Sequence, residues 1–252
     1  MLKNAKCIVI DLDGTIYFGS QPAPRAADFI AFCRGKFKRV FFATNNSAKT
    51  LTQLRKKLAD MGICVKSEEI INSGLLVADF LSARGIKDIY CFGTEDFKQD
   101  LLARGLNPLA DKPEAIVVGY DPDFNIPKLE RALNIALKNS CRIIAANVDR
   151  AYPRDNGIIS PGAGAIVKAL EYSLNRRTAE VIGKPNVYML EYVAKKSGLK
   201  PWQILMLGDN FESDIKMAGD FGALSILLST RVRKGVRSAK NLTEVMEILN
   251  EN

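Results

Sequence analysis

The chain has 252 residues, 47% apolar and 25% charged, enough for a sizeable core in one large domain or two smaller ones and unlike a disordered or collagen-like chain. Its net charge of +8 favours anionic partners, whether nucleic acid, acidic lipid or a phosphorylated small molecule, and does not choose among them. There is no histidine, so Ser-His-Asp and Cys-His triads, HExxH zinc sites and imidazole acid/base chemistry are excluded, and catalysis has to run on carboxylates, Lys, Tyr, Cys or a metal.

In chain order, apolar and β-branched runs predict strands at 7–11 (CIVID), 39–44 (RVFFAT), 88–93 (DIYCFG), 115–119 (AIVVG), 142–147 (RIIAAN), 204–209 (ILMLGD) and 223–228 (ALSILL). Helical spacing falls between them. Leu51, Leu54, Leu58 and Met61 share one face, stopped by Gly62, and Leu129, Leu133, Ile135, Ala136 and Leu137 follow an entry through Pro127. Such alternation predicts an α/β fold with a doubly wound, mainly parallel sheet. The strands near 88, 115 and 142 form their own βαβαβ series, which predicts an inserted α/β domain over 76–179 within a core of 1–75 and 180–252. Asn72-Ser73-Gly74 and Asn175-Arg176-Arg177-Thr178 are the candidate hinges, and two crossings would let the insert rock as a lid.

Five scattered cysteines, Cys7, Cys33, Cys64, Cys91 and Cys141, include no CxxC pair, so neither a zinc knuckle nor a disulfide framework is expected. No apolar run reaches the roughly 20 residues of a membrane span. MLKNAKCIVIDLDG enters a strand without a small-residue cleavage site, so the expected location is cytoplasmic, with no membrane partner.

The strongest chemical signal is CIVIDLDGT, in which a buried-strand pattern ends in Asp11-Leu12-Asp13-Gly14-Thr15. On an extended strand, residues i and i+2 face the same side, about 6–7 Å apart, so both carboxylates would meet one spot. ILMLG then ends in Asp209, and Asp214 follows five residues later in the first turn of the next helix. Ligands of open α/β sheets bind outside the carboxyl ends of the strands, where these acids would gather. Their mutual repulsion implies a cation, and hard oxygen donors without His or thiolate favour Mg²⁺. Taken alone, Asp13 also fits a polar turn and Asp214 a helix N-cap.

Two segments add a phosphate site. Thr44-Asn45-Asn46-Ser47 follows a strand and offers hydroxyl and N–H donors, although ordinary capping would also use them. Lys184, in GKP, supplies an ammonium ahead of a proline suited to the first turn of a helix.

In this order, DLDGT, a Thr after the second strand, the GKP lysine and GDxxxxD resemble the haloacid dehalogenase-like phosphatases. More narrowly, DLDGTIYFG, ATNNSAKT, PGAGAI, GKPN and GDNFESDI resemble the NagD-like branch of p-nitrophenyl, nucleotide and sugar phosphatases over nearly the whole chain. The resemblance implies a core with an inserted α/β cap. It assigns Asp11 as nucleophile, Asp13 as general acid/base, Thr44 and the Asn45 backbone as phosphate ligands, and Lys184 as electrostatic clamp. Mg²⁺ would be held by Asp11, the Asp13 carbonyl and Asp209, with Asp214 supporting it through water. The implied activity is Mg²⁺-dependent hydrolysis of small monoesters (nucleoside monophosphates, sugar phosphates, p-nitrophenyl phosphate) through an aspartyl phosphate. Phosphotransfer or phosphomutase chemistry on the same core, or a non-catalytic phosphometabolite- or nucleic-acid-binding protein, are the alternatives. Some relatives pair through their caps, which makes a homodimer an open expectation.

In the cap stretch AANVDRAYPRDNGIISPGAG, Asn147, Asp149, Arg150 and Tyr152 either reach the leaving group and set specificity or form a rigid turn. PGAGAIVKAL has Val167 where a dinucleotide fingerprint wants a small residue, and no clear strand precedes it. Arg231, Arg233, Lys234, Arg237 and Lys240 either steer anionic substrates or form a solvated loop. No aromatic lies between 230 and 240, so nucleic acid is not the expected partner, and a small phosphorylated metabolite is.

Overall fold

In the computed structural model, which describes residues 2–139, 141–153, 158–175, 179–231 and 233–251, the first apolar run forms β1 (Cys7–Asp11), buried at every position. Burial on both faces is what a continuous apolar run requires of a central parallel strand. A short hairpin of β2 (Tyr17–Phe18) and β3 (Gln21–Pro22) follows, then α1 (Ala26–Lys36), β4 (Arg39–Thr44), α2 (Leu51–Asp60) and β5 (Ile70–Asn72). The next stretch carries α3 (Ser73–Ser82), β6 (Ile89–Phe92), α4 (Glu95–Ala103), β7 (Ala115–Val118), α5 (Ile126–Asn139) and β8 (Arg142–Ala145). After it come β9 (Ala151–Pro153), β10 (Ile159–Pro161), α6 (Ala163–Ser173) and β11 (Ala179–Val181). The chain ends with α7 (Tyr188–Ser197), β12 (Ile204–Gly208), α8 (Lys216–Phe221), β13 (Leu224–Leu228), β14 (Ser238–Ala239) and α9 (Leu242–Asn250).

The chain divides into two units: Met1–Thr44 with Leu51–Ile71 and Lys184–Asn252, and Asn45–Thr50 with Asn72–Gly183. The first is built on a six-stranded sheet of order β14-β13-β12-β1-β4-β5. β1 pairs in parallel with β4 on one side and β12 on the other, with Ile10 opposite both Phe42 and Leu207. The chain leaves β1 toward β4 and returns much later to β12, so the order reverses beside β1. In open α/β sheets such a switch point opens a crevice at the carboxyl ends of the strands. Ile8, Ile10, Phe42, Leu205 and Leu207 form the core with Phe29, Leu54, Leu58, Val245 and Leu249 from the helices. Each such side chain contributes about 1.5–3 kcal/mol by leaving water.

The second unit has a parallel four-stranded sheet of order β11-β8-β7-β6, with Phe92, Ile116, Val118 and Ile143 packed against Ala132 and Ala136 of α5 and Ile166, Val167 and Leu170 of α6. Its second, antiparallel sheet is the β9–β10 hairpin. PGAGAI therefore does follow a strand, but a three-residue antiparallel one and not the parallel strand of a dinucleotide site.

The unit boundaries differ from the expected insert of 76–179. They lie at 72 and 183, and Asn45–Thr50 also belongs to the second unit, so the chain crosses four times and not twice. Hydrogen bonds to residues distant in sequence tie this segment to the second unit. Ser73 Oγ and Asn147 Nδ2 both donate to the Asn45 carbonyl (2.9 and 2.8 Å), Thr94 Oγ1 to Ala48 O (3.1 Å), Asn72 Nδ2 to Lys49 O (3.0 Å) and the Tyr120 amide to Ser47 Oγ (3.2 Å). Nor is Asn72-Ser73-Gly74 a loose linker. β5 abuts α3, all three residues are buried, and Asn72 Oδ1 caps the helix by accepting the Leu75 amide at 2.8 Å. In the other candidate hinge, Arg176, Arg177 and Thr178 lie outside the described residues.

All five cysteines are free, with Cys7, Cys33 and Cys91 buried. Among the described residues no helix is long and apolar enough to cross a membrane. Asn72→Ala removes both the cap and the bond to Lys49, and is expected to lower stability by about 1–2 kcal/mol, measured by chemical denaturation.

Candidate active site

The carboxyl ends of β1 and β12 bring three acids together. Asp11 closes β1, Asp209 follows the last residue of β12, and Asp214 projects from the turn after it; one carboxylate oxygen from each lies within 4.8 Å of the others. Their common counter-charge is Lys184, whose side chain is 4% exposed. Its ammonium donates to Asp11 Oδ1, to Asp214 Oδ1 at 2.7 Å and to Ala43 O at 3.4 Å. Ala43 is the β4 residue opposite Asp11, so the sheet register sets the third contact.

One ammonium against three carboxylates leaves a net −2 when all are ionised. The cluster's titration reflects that excess. Burial pushes the Asp11 carboxyl well above the usual range, opposed by Lys184 and reinforced by Asp214 and Asp209. Partial burial pushes Asp209 up to about 6, with Asp214 adding to the push. Burial alone would pull the Lys184 ammonium down, but the Asp11 and Asp214 carboxylates outweigh it and hold the group above the ordinary lysine range. Asp11 Oδ2 is buried and accepts no hydrogen bond among the described residues. An all-oxygen donor set, an excess of negative charge and an unpartnered buried oxygen fit a hard divalent cation.

Glycine makes this approach of chains possible at two points. Gly14 has φ +92°, and a Cβ there would overlap the Asp209 carboxylate. At Gly208 a Cβ would overlap the carboxylate of Asp214. Asp214 itself sits in a π-helical turn, Phe211–Ile215, that leads into α8, and not in a regular first helical turn. It is 1% exposed and accepts the Asn210 amide at 3.1 Å through Oδ2, so this acid is a buried partner of Lys184 and not a plain N-cap.

Asp13 lies two residues beyond the end of β1, and its exposed carboxylate has partners of its own. Its Oδ2 accepts Tyr17 Oη at 2.9 Å and Thr44 Oγ1 at 3.3 Å. Sequence reasoning gave Tyr17 no role, although it stands inside the DLDGTIYFG motif, and the tyrosine is fully buried. Thr44 is buried at the end of β4. Pro185 lies before α7 and not in its first turn, and the Lys184-Pro185 peptide is cis.

The other polar residues after β4 are engaged within the second unit. Asn45 Nδ2 donates to Asp149 Oδ1 at 3.1 Å, Asn147 Oδ1 accepts the Asp149 amide at 3.2 Å, and Asn46 Oδ1 accepts the amides of Ala48 and Lys49. Asn45, Asn147 and Asp149 are thus assembled, while Tyr152 packs edge-on against Tyr120 and Arg150 is exposed. Arg231, Arg233, Lys234, Arg237 and Lys240 are all exposed, with the Arg233 guanidinium 4.2 Å from the Phe211 ring.

A haloacid dehalogenase-like hydrolase family model matches residues 8–107 and a HAD-hydrolase-like model residues 181–250. Acid sugar phosphatase of Staphylococcus epidermidis is 31% identical over 92% of this chain and 89% of its own length. The chain belongs to the haloacid dehalogenase-like hydrolases. Its fold matches that of 4-nitrophenylphosphatase from Thermotoga maritima with a TM-score of 0.89, 29% identity and 98% of each chain covered. Glycerol phosphate phosphatase from Mycobacterium tuberculosis in complex with magnesium matches with a TM-score of 0.85, 25% identity and 98% and 78% of the two chains covered. As a member of this family the chain is a hydrolase, and the two matched segments together hold Asp11, Asp13, Thr44, Lys184, Asp209 and Asp214.

Two outcomes are expected. Gly208→Ala displaces the Asp214 carboxylate from Lys184, so both hydrolase activity and melting temperature fall. Asp209 titrates at about 6, above its unfolded value, so in the cation-free protein it contributes stability that is fully present below about pH 4 and lost as pH rises through about 6. A bound divalent cation has the opposite preference, because it needs the ionised oxygen. Calorimetric titration at about pH 5 and about pH 7 is therefore expected to show weaker cation binding at the lower pH.

Proposed function

We propose that this hydrolase is a Mg²⁺-dependent phosphatase of small phosphate monoesters, including nucleoside monophosphates, sugar phosphates and p-nitrophenyl phosphate, and that it works through an aspartyl phosphate on Asp11. The observation that carries this reading is the buried Asp11 carboxylate, with one oxygen on Lys184 and the other unpartnered beside two further acids. The activities named for the phosphatases it resembles support the substrate class.

Asp11 is the nucleophile. Its carboxylate attacks phosphorus in line, the ester P–O bond breaks, and Asp13 gives its proton to the departing alkoxide. A water molecule then attacks phosphorus in the aspartyl phosphate while Asp13 takes up a water proton, which releases inorganic phosphate and restores Asp11. Lys184 stays fixed against Asp11 and Asp214 and opposes the negative charge of the phosphoryl oxygens, and the Thr44 hydroxyl, which donates to Asp13 Oδ2 in the ligand-free protein, turns to a phosphoryl oxygen when substrate binds. Asp11, Asp209 and the Asp13 carbonyl would hold Mg²⁺, with Asp214 behind them; the ion supplies Lewis-acid stabilisation of the phosphoryl group. Enzymatic cleavage of such esters requires a barrier lowering of about 20 kcal/mol or more. No single contact reaches that figure, so fixed charge, positioning and the covalent step have to share it.

Asp11→Asn is expected to abolish release of phosphate, by at least about a thousandfold, without lowering the melting temperature, since it removes charge from an overcrowded cluster. The test is a Mg²⁺-supplemented substrate panel for the wild type and the variant. It is joined to acid-quenched mass spectrometry of the Asp11 peptide during turnover. Brisk turnover by Asp11→Asn, or a peptide that never carries a phosphoryl group, overturns the mechanism. A phosphorylated acceptor in place of free phosphate would assign phosphotransfer.

A further inference from the structure

We infer that Tyr17 is a positioning residue for the acid step, holding the Asp13 side chain so that Oδ2 is occupied and Oδ1 is presented to the leaving group. The inference rests on the proposed role of Asp13 as proton donor. It goes beyond that role by naming which oxygen works and what holds it there.

Two hydroxyl donors, Tyr17 Oη at 2.9 Å and Thr44 Oγ1 at 3.3 Å, converge on the same oxygen of an otherwise exposed carboxylate. Oδ2 therefore accepts twice, and a proton placed there would displace one of the donors. Oδ1 remains the oxygen able to carry a proton to the ester. An exposed aspartate has several rotamers, and the Tyr17 bond, which remains when the Thr44 hydroxyl turns to phosphate, selects among them.

Tyr17 is itself fixed from three directions. Its side chain is fully buried. Its amide donates to Leu12 O at 3.2 Å, and its carbonyl accepts the Gly14 amide at 2.8 Å, so the loop that carries Asp13 is closed on the tyrosine's own backbone. Lys57 of α2 places its ammonium 3.5 Å from the ring centroid, a cation–π contact that presses on the ring face. A buried hydroxyl needs a partner, and the Asp13 carboxylate supplies it. The hydroxyl proton points to Asp13 Oδ2, so Tyr17 serves as a hydrogen-bond donor.

The leaving group provides the test. p-Nitrophenolate departs without needing a proton, whereas an alkoxide needs one, so loss of the acid's placement penalises only the second class. In Tyr17→Phe the value of kcat/KM, which covers the steps through first P–O cleavage, is expected to change by no more than about threefold for p-nitrophenyl phosphate and to fall at least about thirtyfold for an alkyl phosphate such as glycerol 3-phosphate. The ratio of the two constants then rises at least about tenfold. Because both are measured on one preparation, the ratio is independent of how much of the variant is folded. Equal losses on both substrates, an unchanged ratio, or a larger loss on p-nitrophenyl phosphate overturns the assignment. Wild-type turnover together with an unchanged ratio overturns Tyr17 alone; a wild type that releases phosphate from neither ester overturns the phosphatase reading as well.

Discussion

A buried ammonium shared by two carboxylates, with a third carboxylate close by, is the constraint around which the first unit is organised. Lys184 is brought to Asp11 by the chain's return at residue 184 and to Asp214 by the turn after β12. Removing the ammonium from such an arrangement strands the carboxylates away from water without a counter-charge, at a typical cost of about 3–5 kcal/mol. The arrangement is nonetheless incomplete as an electrostatic object. Three acids against one base leave negative charge that raises Asp11 and Asp209, and an Asp11 oxygen without a donor. A site of this kind is stabilised by a bound dication.

The fold supplies this constraint with little freedom left over. The switch in strand order beside β1 places Asp11 and Asp209 on adjacent strand ends, and the register puts Ala43 opposite Asp11, where its carbonyl accepts from the Lys184 ammonium. Gly14 and Gly208 then let a turn and a strand end approach carboxylates that any side chain would push aside. Sequence, strand register and charge pairing are therefore one argument: a change at Gly208 is a change at Lys184, through Asp214.

Much of this was legible in the sequence because long, fully buried strands have an unmistakable pattern. CIVID, RVFFAT and ILMLG were bounded to within a residue, and the acids at their ends followed. Strands of two or three residues, such as β2, β3, β5, β9, β10, β11 and β14, are too short to show periodicity and escaped notice. Segment 45–50 was misassigned for a different reason. Its membership of the second unit is decided by side-chain bonds from Ser73, Asn147 and Thr94, which are far away in sequence. Alternation describes Asp13 only while the chain stays extended, and β1 ends at Asp11, two residues before it. Tyr17 was visible in the motif, but its hydrogen bond depends on a turn whose path the motif does not state.

That turn separates two kinds of carboxyl chemistry within one short loop. Under the proposed mechanism Asp11 must meet phosphorus ionised, and contact with Lys184 favours that form against the opposing push of burial and of Asp214 and Asp209. Asp13 is instead bound by two neutral hydroxyls, on one oxygen only. The distance in sequence between the two roles is two residues, and the difference in environment comes from the chain direction: Asp11 continues the strand into the cluster, whereas Asp13 is turned out toward Tyr17 and Thr44. The chain leaves strand geometry after Asp11, and under the proposed mechanism this lets the nucleophile keep its place in the cluster while the acid takes partners of its own.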